Sequence, residues 1–295
     1  TKLLTNNTGT EITAVEVTHQ GIPRKVTADI VVVACGAINS ARLLLSSAND
    51  HHANGLANGS DQLGRNFMKH HNGAMLGISG KANLTKFQKT LAINDFYWGE
   101  EGFDYPMGHV QLLGKANKEM LASDAPAFAP GIALEQMAKH SVDWWLTAED
   151  LPLPENRVTL DGDTIRLSYT EKNIAGFDRL MDRWTDILKS IDCGDHFVPC
   201  SLYLRKKIPL QGVAHQVGTC VFGADPKTSV LNTNCQSHEI QNLYVVDGSF
   251  FPSSAAVNPA LTIIANALRV GDHLMERMGV SVSEAKANIL AGAAR

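Results

Sequence analysis

The sequence predicts an α/β chain, α+β overall, in which an inserted and mainly antiparallel sheet interrupts a strand–helix unit. Three observations carry this. The unbroken run Ile30-Val31-Val32-Val33-Ala34 leads straight into Cys35-Gly36-Ala37 and a helix-like stretch. Residues 73–205 break into short apolar stretches between turn-rich links. Near the end, Asn242-Leu243-Tyr244-Val245-Val246 is again a short strand, followed by Asp247-Gly248 and then by Asn258-Pro259 opening a long helix. The expected division is 1–72 and 206–295 as two parts of one α/β domain, with 73–205 as the inserted sheet domain.

In chain order, residues 11–18 and 24–34 read as two strands joined by a turn at His19–Pro23. Continuous β-branched residues up to Ala34 predict a strand buried on both faces, as in a helix-covered parallel sheet. Asn39–Leu45 reads as a short helix with a polar start. Strand, small residues, helix is the arrangement at which α/β sheets bind ligands, and equally a tight turn that needs Gly for packing. Residues 49–73 read as loop, rich in Asn, Gly and His. Strands are expected at 74–78, 92–98, 109–113, 142–147, 157–160 and 164–169, the last two forming a hairpin at Asp161-Gly162-Asp163. Phe96, Tyr97, Trp98, Trp144 and Trp145 are expected mainly in the core, with a pocket lining as the other reading. Phe177, Leu180, Met181, Trp184, Ile187, Leu188 and Ile191 recur at helical spacing and predict an amphipathic helix over 173–191, ending near Cys193-Gly194.

Composition excludes several function classes. Of 295 residues 44% are hydrophobic and 19% charged, with a net charge of -4 and no basic run, so no nucleic-acid partner is expected. No apolar run reaches the ~18 residues of a transmembrane span. Cys35, Cys193, Cys200, Cys220 and Cys235 form no Cys-x-x-Cys pair, and are read as plain thiols. The pairs His51-His52 and His70-His71 suggest no metal: adjacent strand residues point to opposite faces, and no carboxylate or Cys stands at ligand spacing. There is no initiator Met and no signal peptide, and the first 18 residues read as a strand in mid-flow. A fragment or one piece of a processed chain is expected, with its compartment open.

The last third carries the chemistry. Asp247 at the end of a strand can accept hydrogen bonds from ribityl or ribose hydroxyls, and Gly248 lets a ligand approach the backbone. Asn258 is a good N-cap and Pro259 suits the first turn of a helix. That helix is expected to run to about Met278, stopped by Gly279, with free amides at its start that favour negative charge. His215, before Gly218-Thr219, titrates near neutrality and is the candidate base.

Taken together these pieces resemble the C-terminal signature of the glucose-methanol-choline (GMC) flavoprotein oxidoreductases. The match runs through His215-x-x-Gly218-Thr219, Asp225-Pro226, Ser229-Val230, Asn242 to Ser249, Phe251-Pro252, and Asn258-Pro259 with Thr262. Upstream, Ala34 to Leu44 is similar to the family's second signature, with Ala41 where Pro is commoner. Leu63-Gly64-Arg65-Asn66 and Leu151 to Val158 also fit. The resemblance implies a partial Rossmann-like FAD-binding domain, with the inserted sheet as the substrate-binding domain. It implies an FAD-dependent oxidoreductase acting on the CH–OH group of an alcohol or sugar, with hydride passing to flavin N5. His215 then takes the position of the catalytic base and Asn258 the second active-site position. Ala34, Cys35, Gly36, Asp247, Gly248, Asn258 and Pro259 fall where the family contacts FAD. The electron acceptor is oxygen, a quinone or a cytochrome. Alternatives on the same scaffold are a lyase of the hydroxynitrile lyase kind and an inactive truncated fragment. The family's opening Gly-x-Gly-x-x-Gly phosphate cradle does not occur in this sequence. The expectation is therefore a missing N-terminal FAD-binding segment, and weak FAD binding by this polypeptide alone.

Overall fold

A computed structural model describes residues 1–87, 89–125, 127–191, 193 and 205–283. β1 (Lys2–Thr5), β2 (Ile12–His19) and β3 (Ile22–Val26) form an antiparallel sheet in sequence order. The β2–β3 turn is Gln20-Gly21 alone, with φ of 51° and 78°. Two successive positive φ values match the twist of a tight hairpin. The strand expected over 24–34 is two strands. β3 pairs antiparallel with β2 and is exposed along its length. β4 (Val31–Val33) leaves that sheet and pairs in parallel with Leu243–Val245. Val32 is 45% exposed, so β4 buries one face and not two.

α1 (Ala37–Ser46) follows and buries Ala37, Ser40, Ala41 and Leu44. The expected loop at 49–73 hides β5 (Met68–Lys69) and the start of β6 (His71–Ile78). β7 (Ala92–Ile93) is shorter than expected and β8 (His109–Leu112) matches. Two helices were not foreseen, α2 (Lys118–Asp124) and α3 (Gly131–His140). Both are short and bury only a small cluster around Leu121, Leu134 and Met137 with Ile78. That is too few residues to set up a helical period in sequence. Asn117 starts α2 by accepting the Met120 amide at 2.8 Å.

β9 (Ser141–Ala148) pairs with β6 over eight positions, from His71↔Ala148 to Ile78↔Ser141. β10 (Arg157–Asp161) and β11 (Thr164–Ser168) form the expected hairpin, closed by Gly162-Asp163. α4 (Ile174–Ser190) buries Phe177, Leu180, Met181, Trp184 and Leu188, while Ile191 lies beyond its end and is exposed. Gly194 and Cys200 lie outside the described residues. With β12 (Arg205–Lys207) the main sheet has the order β12-β6-β9-β8-β7 and is antiparallel at every pairing. β13 (Gln216–Val217), β14 (Leu243–Val245) and α5 (Ala260–Arg277) complete the described elements, and Gly279 follows the end of α5.

Two main apolar clusters result. One joins both ends of the chain: Leu3, Val33, Leu44, Leu63, Val217, Tyr244 and Val245. The β10–β11 hairpin adds Val158 to it, so this hairpin belongs with α1 and not with the large sheet. The other packs Met75, Val110, Trp144 and Leu146 of the sheet against Phe177, Leu180 and Trp184 of α4. No helix among the described residues is long and apolar enough to cross a membrane.

Candidate active site

Main-chain knots position the site. β13 pairs antiparallel with β5, Gln216 opposite Lys69 and Val217 opposite Met68. Continuing that register puts His215 opposite His70, and the His70 amide donates to the His215 carbonyl at 3.3 Å. Gly218 sits at φ 83°, and a Cβ there would stand 2.0 Å from the Asn66 carbonyl oxygen. Only glycine fits. Next to it, the Thr219 amide donates to the Arg65 carbonyl at 3.1 Å, and the Thr219 hydroxyl to the Ala37 carbonyl at 2.6 Å. Val158 and Phe67 then join the Gly64 and Asn156 carbonyls, each at 2.9 Å. Three sequence motifs far apart in the chain are thus one interlocked turn.

The parallel β4–β14 pair lays Ala34–Gly36 beside Asp247–Gly248, with the Val246 amide on the Val33 carbonyl at 3.1 Å. Asp247 is buried. Its Oδ2 accepts the Gly36 amide at 2.9 Å and the Ser40 hydroxyl; its Oδ1 accepts the Ser249 amide at 2.8 Å and hydroxyl at 2.5 Å. Four donors fill the acceptor capacity of a carboxylate. The ribityl contact expected of the Asp247 side chain is therefore taken up inside the chain, and the carboxylate instead pins the Gly36 turn. Gly36 has φ 84° and open space where a side chain would stand, and Cys35 is exposed beside it.

His215 and Asn258 meet at one cavity of about 220 Å³, lined also by Asn72, Lys89, Gln111 and Trp145. Asn258 does not cap α5. Pro259 occupies the cap position, no side chain caps the helix, and the Asn258 Oδ1 instead accepts from Gln111 Nε2 at 3.3 Å. The α5 amides are thus left free of side-chain caps. Burial and then the Lys89 charge hold the His215 imidazole below its ordinary pKa of 6.5. Asn72 Oδ1 is buried and has no hydrogen-bond partner. Trp145 joins the cavity and Trp144 is core, while Trp98 is 80% exposed and takes neither expected role.

His70 was missed as a site residue. It is fully buried between His215 and the Ser254 carbonyl, with its Nδ1 3.0 Å from His215 Nδ1 and its Nε2 2.9 Å from that oxygen. Asn72, Lys89 and Gln111 were missed too, because each reaches the cavity from a different strand or loop. His52 is used structurally, on the Gly9 carbonyl at 2.8 Å. Among the described residues no three His, Cys, Asp or Glu stand together as a metal cage. Cys35, Cys220 and Cys235 are free thiols. Burial pushes the Cys220 thiol up to about 12, so it stays protonated.

The GMC oxidoreductase N-terminal profile matches residues 1–72, and the C-terminal profile matches residues 152–267. This chain belongs to the GMC oxidoreductase family. The family's cofactor is FAD. Its relatives include 2-methyl-1,2-propanediol dehydrogenase of Mycolicibacterium austroafricanum, 30% identical over 90% of this chain and 51% of that protein. The large subunit of fructose dehydrogenase of Gluconobacter japonicus is 27% identical over 85% of this chain and 48% of that protein. The chain thus spans about half the length of these relatives. The crystal structure of pyridoxine 4-oxidase from Mesorbium loti has the same fold, with a TM-score of 0.63 at 20% identity over 92% of this chain and 56% of that one.

The residues present suit part of an FAD site. Gly36 offers a turn with open space where a side chain would stand, and the start of α5 has no side-chain cap. Such a set favours a flat ligand with negative charge near a helix start.

Proposed function

We propose that this chain carries the substrate-facing half of an FAD-dependent oxidoreductase that acts on the CH–OH group of an alcohol or sugar. The observation that carries the reading is the convergence of His215 and Asn258 on one cavity, with Pro259 following Asn258 at the start of α5. When bound, FAD supplies the hydride acceptor at N5. His215 takes the hydroxyl proton, and burial favours its neutral, basic form. Asn258, steadied by Gln111, orients the substrate oxygen. Asn72 adds a polar side chain to the lining of the cavity. Lys89 brings positive charge to the cavity, which favours neutral polyols over quaternary ammonium alcohols such as choline. The diol and sugar specificities in the names of two relatives agree with that preference.

His215→Ala in the flavin-loaded, full-length protein is expected to slow anaerobic flavin reduction by about 10²-fold or more. Unchanged reduction over a panel of polyols, sugars and choline would remove His215 as the base. A lyase reading would instead require that no alcohol in the panel bleaches the flavin of the unaltered protein.

We also propose that a further FAD-binding segment completes the site. Residues 1–295 contain no Gly-x-Gly-x-x-Gly cradle, and the outward faces of β4 and α5 are apolar and uncovered. The 295-residue chain by itself is expected to purify colourless. Stoichiometric FAD in it would defeat this part of the reading.

A further inference from the structure

We propose that His70 is a positioning residue that holds His215 as the Nδ1–H tautomer and so leaves the His215 Nε2 lone pair for the substrate. The proposal rests on the reading of His215 as base and deepens it. The Ser254 carbonyl can only accept, so the His70 Nε2 at 2.9 Å must carry the hydrogen. A neutral imidazole has one N–H, so His70 Nδ1 is a lone pair. It faces His215 Nδ1 at 3.0 Å, and that nitrogen must therefore donate. The hydrogen on His215 is then fixed at Nδ1, and Nε2 is the ring nitrogen left unprotonated.

Every part of this lock is held in place. The Ser254 hydroxyl accepts the Asp150 amide and donates to the Asp150 carbonyl, each at 3.0 Å, which fixes the loop that presents its carbonyl. The His70 backbone is tied to His215 by the β5–β13 register. The two rings meet edge to face, 4.9 Å between centroids. The lock works only while His70 is neutral, because an imidazolium would donate to both neighbours and force the hydrogen of His215 to Nε2. His70 is fully buried, and burial holds its pKa down to about 4, opposed by the Ser254 carbonyl. The titratable groups around it are His215, His71 and Asp150. The same low basicity makes His70 a poor sink, so a proton taken up by His215 stays there instead of passing inward.

The test is ¹⁵N spectroscopy of the flavin-loaded, full-length protein labelled at histidine, with the pH profile of flavin reduction. The unaltered protein is expected to show His215 Nε2 as an unprotonated ring nitrogen and Nδ1 as an N–H above pH 7. His70→Phe, which removes the acceptor, is expected to give a mixture of His215 tautomers and to slow reduction by about 10-fold or more. His70→Asn, whose Oδ1 stands near the place of Nδ1, is expected to restore both signals and most of the rate. A His215 Nε2–H in the unaltered protein overturns the proposal, as does an Asn variant that falls as far as the Phe variant. If the Phe variant does not fold, the first and third measurements still decide. Should His215→Ala leave reduction unchanged, the base assignment fails while the tautomer assignment is still read from the spectra.

Discussion

α4 and α5 carry the same kind of apolar stripe, yet the structure treats them differently. α4 lies on the five-stranded antiparallel sheet and buries five large side chains, with Trp184 against Trp144 at 4.7 Å between ring centroids. α5 is one residue longer and buries only Val270, leaving Leu261 80%, Leu268 68% and Ile264 55% exposed. The sheet beside it is one parallel pair, β4 and β14, with Val32 also outward. A sheet of three or more strands with a packed helix is stable by itself, whereas a two-stranded pair is marginal. One half of the molecule covers its amphipathic helix face, and the other leaves the outer face of its helix exposed. The candidate site lies where they meet. His215 and Asn258 come from the second half; Asn72, Gln111 and Trp145 come from the first.

Truncation in the closed core should cost most. Trp184→Ala in the full-length protein is expected to lose about 3–5 kcal/mol of stability in urea denaturation. A loss under about 1 kcal/mol would mean that α4 is not the main cover of the sheet.

The seam should be acid-sensitive. His70 is protonated at pH below 6.5 in the unfolded chain but only near 4 in the folded one. The unfolded state therefore binds more protons between those values, and stability falls as pH is lowered through that window. The full difference is about 3 kcal/mol, present above pH 6.5 and gone below 4. His70→Asn should remove this part of the acid loss in denaturation series at pH 7.5, 5.5 and 4. Equal losses in both proteins would show that His70 does not titrate between the two states.

The exposed helix face should be tolerant in isolation. Leu268→Ala is expected to change the stability of the 295-residue chain by under about 0.5 kcal/mol. A cost of about 2 kcal/mol or more would show that α5 is covered even there. The same substitution in the full-length protein sharpens the comparison, since a larger cost in that setting identifies the outer face of α5 as a covered one, as the proposed FAD-binding segment requires.

Much of the site was legible in the sequence because its residues sit in short local patterns. His215 before Gly218-Thr219, Asp247-Gly248 after a strand, and Asn258-Pro259 at a helix start can each be found by spacing. What those residues do locally was less legible. Asp247 reads as a free ligand group but spends its carboxylate on Gly36, Ser40 and Ser249. Asn258 reads as a cap but turns to Gln111. In both cases a partner more than a hundred residues away wins over the neighbour along the chain, or joins it.

By itself the sequence determined the mixed α/β architecture, the hairpin at Gly162-Asp163, the amphipathic α4, the long helix α5, and the residues that present the candidate chemistry. These follow from local rules: side-chain period, turn conformation and helix termini. Only the tertiary structure decided that the run to Ala34 splits between two sheets, that α5 stays half uncovered, and that His70 stands against His215. The physical reason is pairing. Strand register and buried hydrogen bonds are fixed by whichever distant segment arrives, and neither His70 nor Ser254 carries in its own neighbourhood any sign of the partner it will meet.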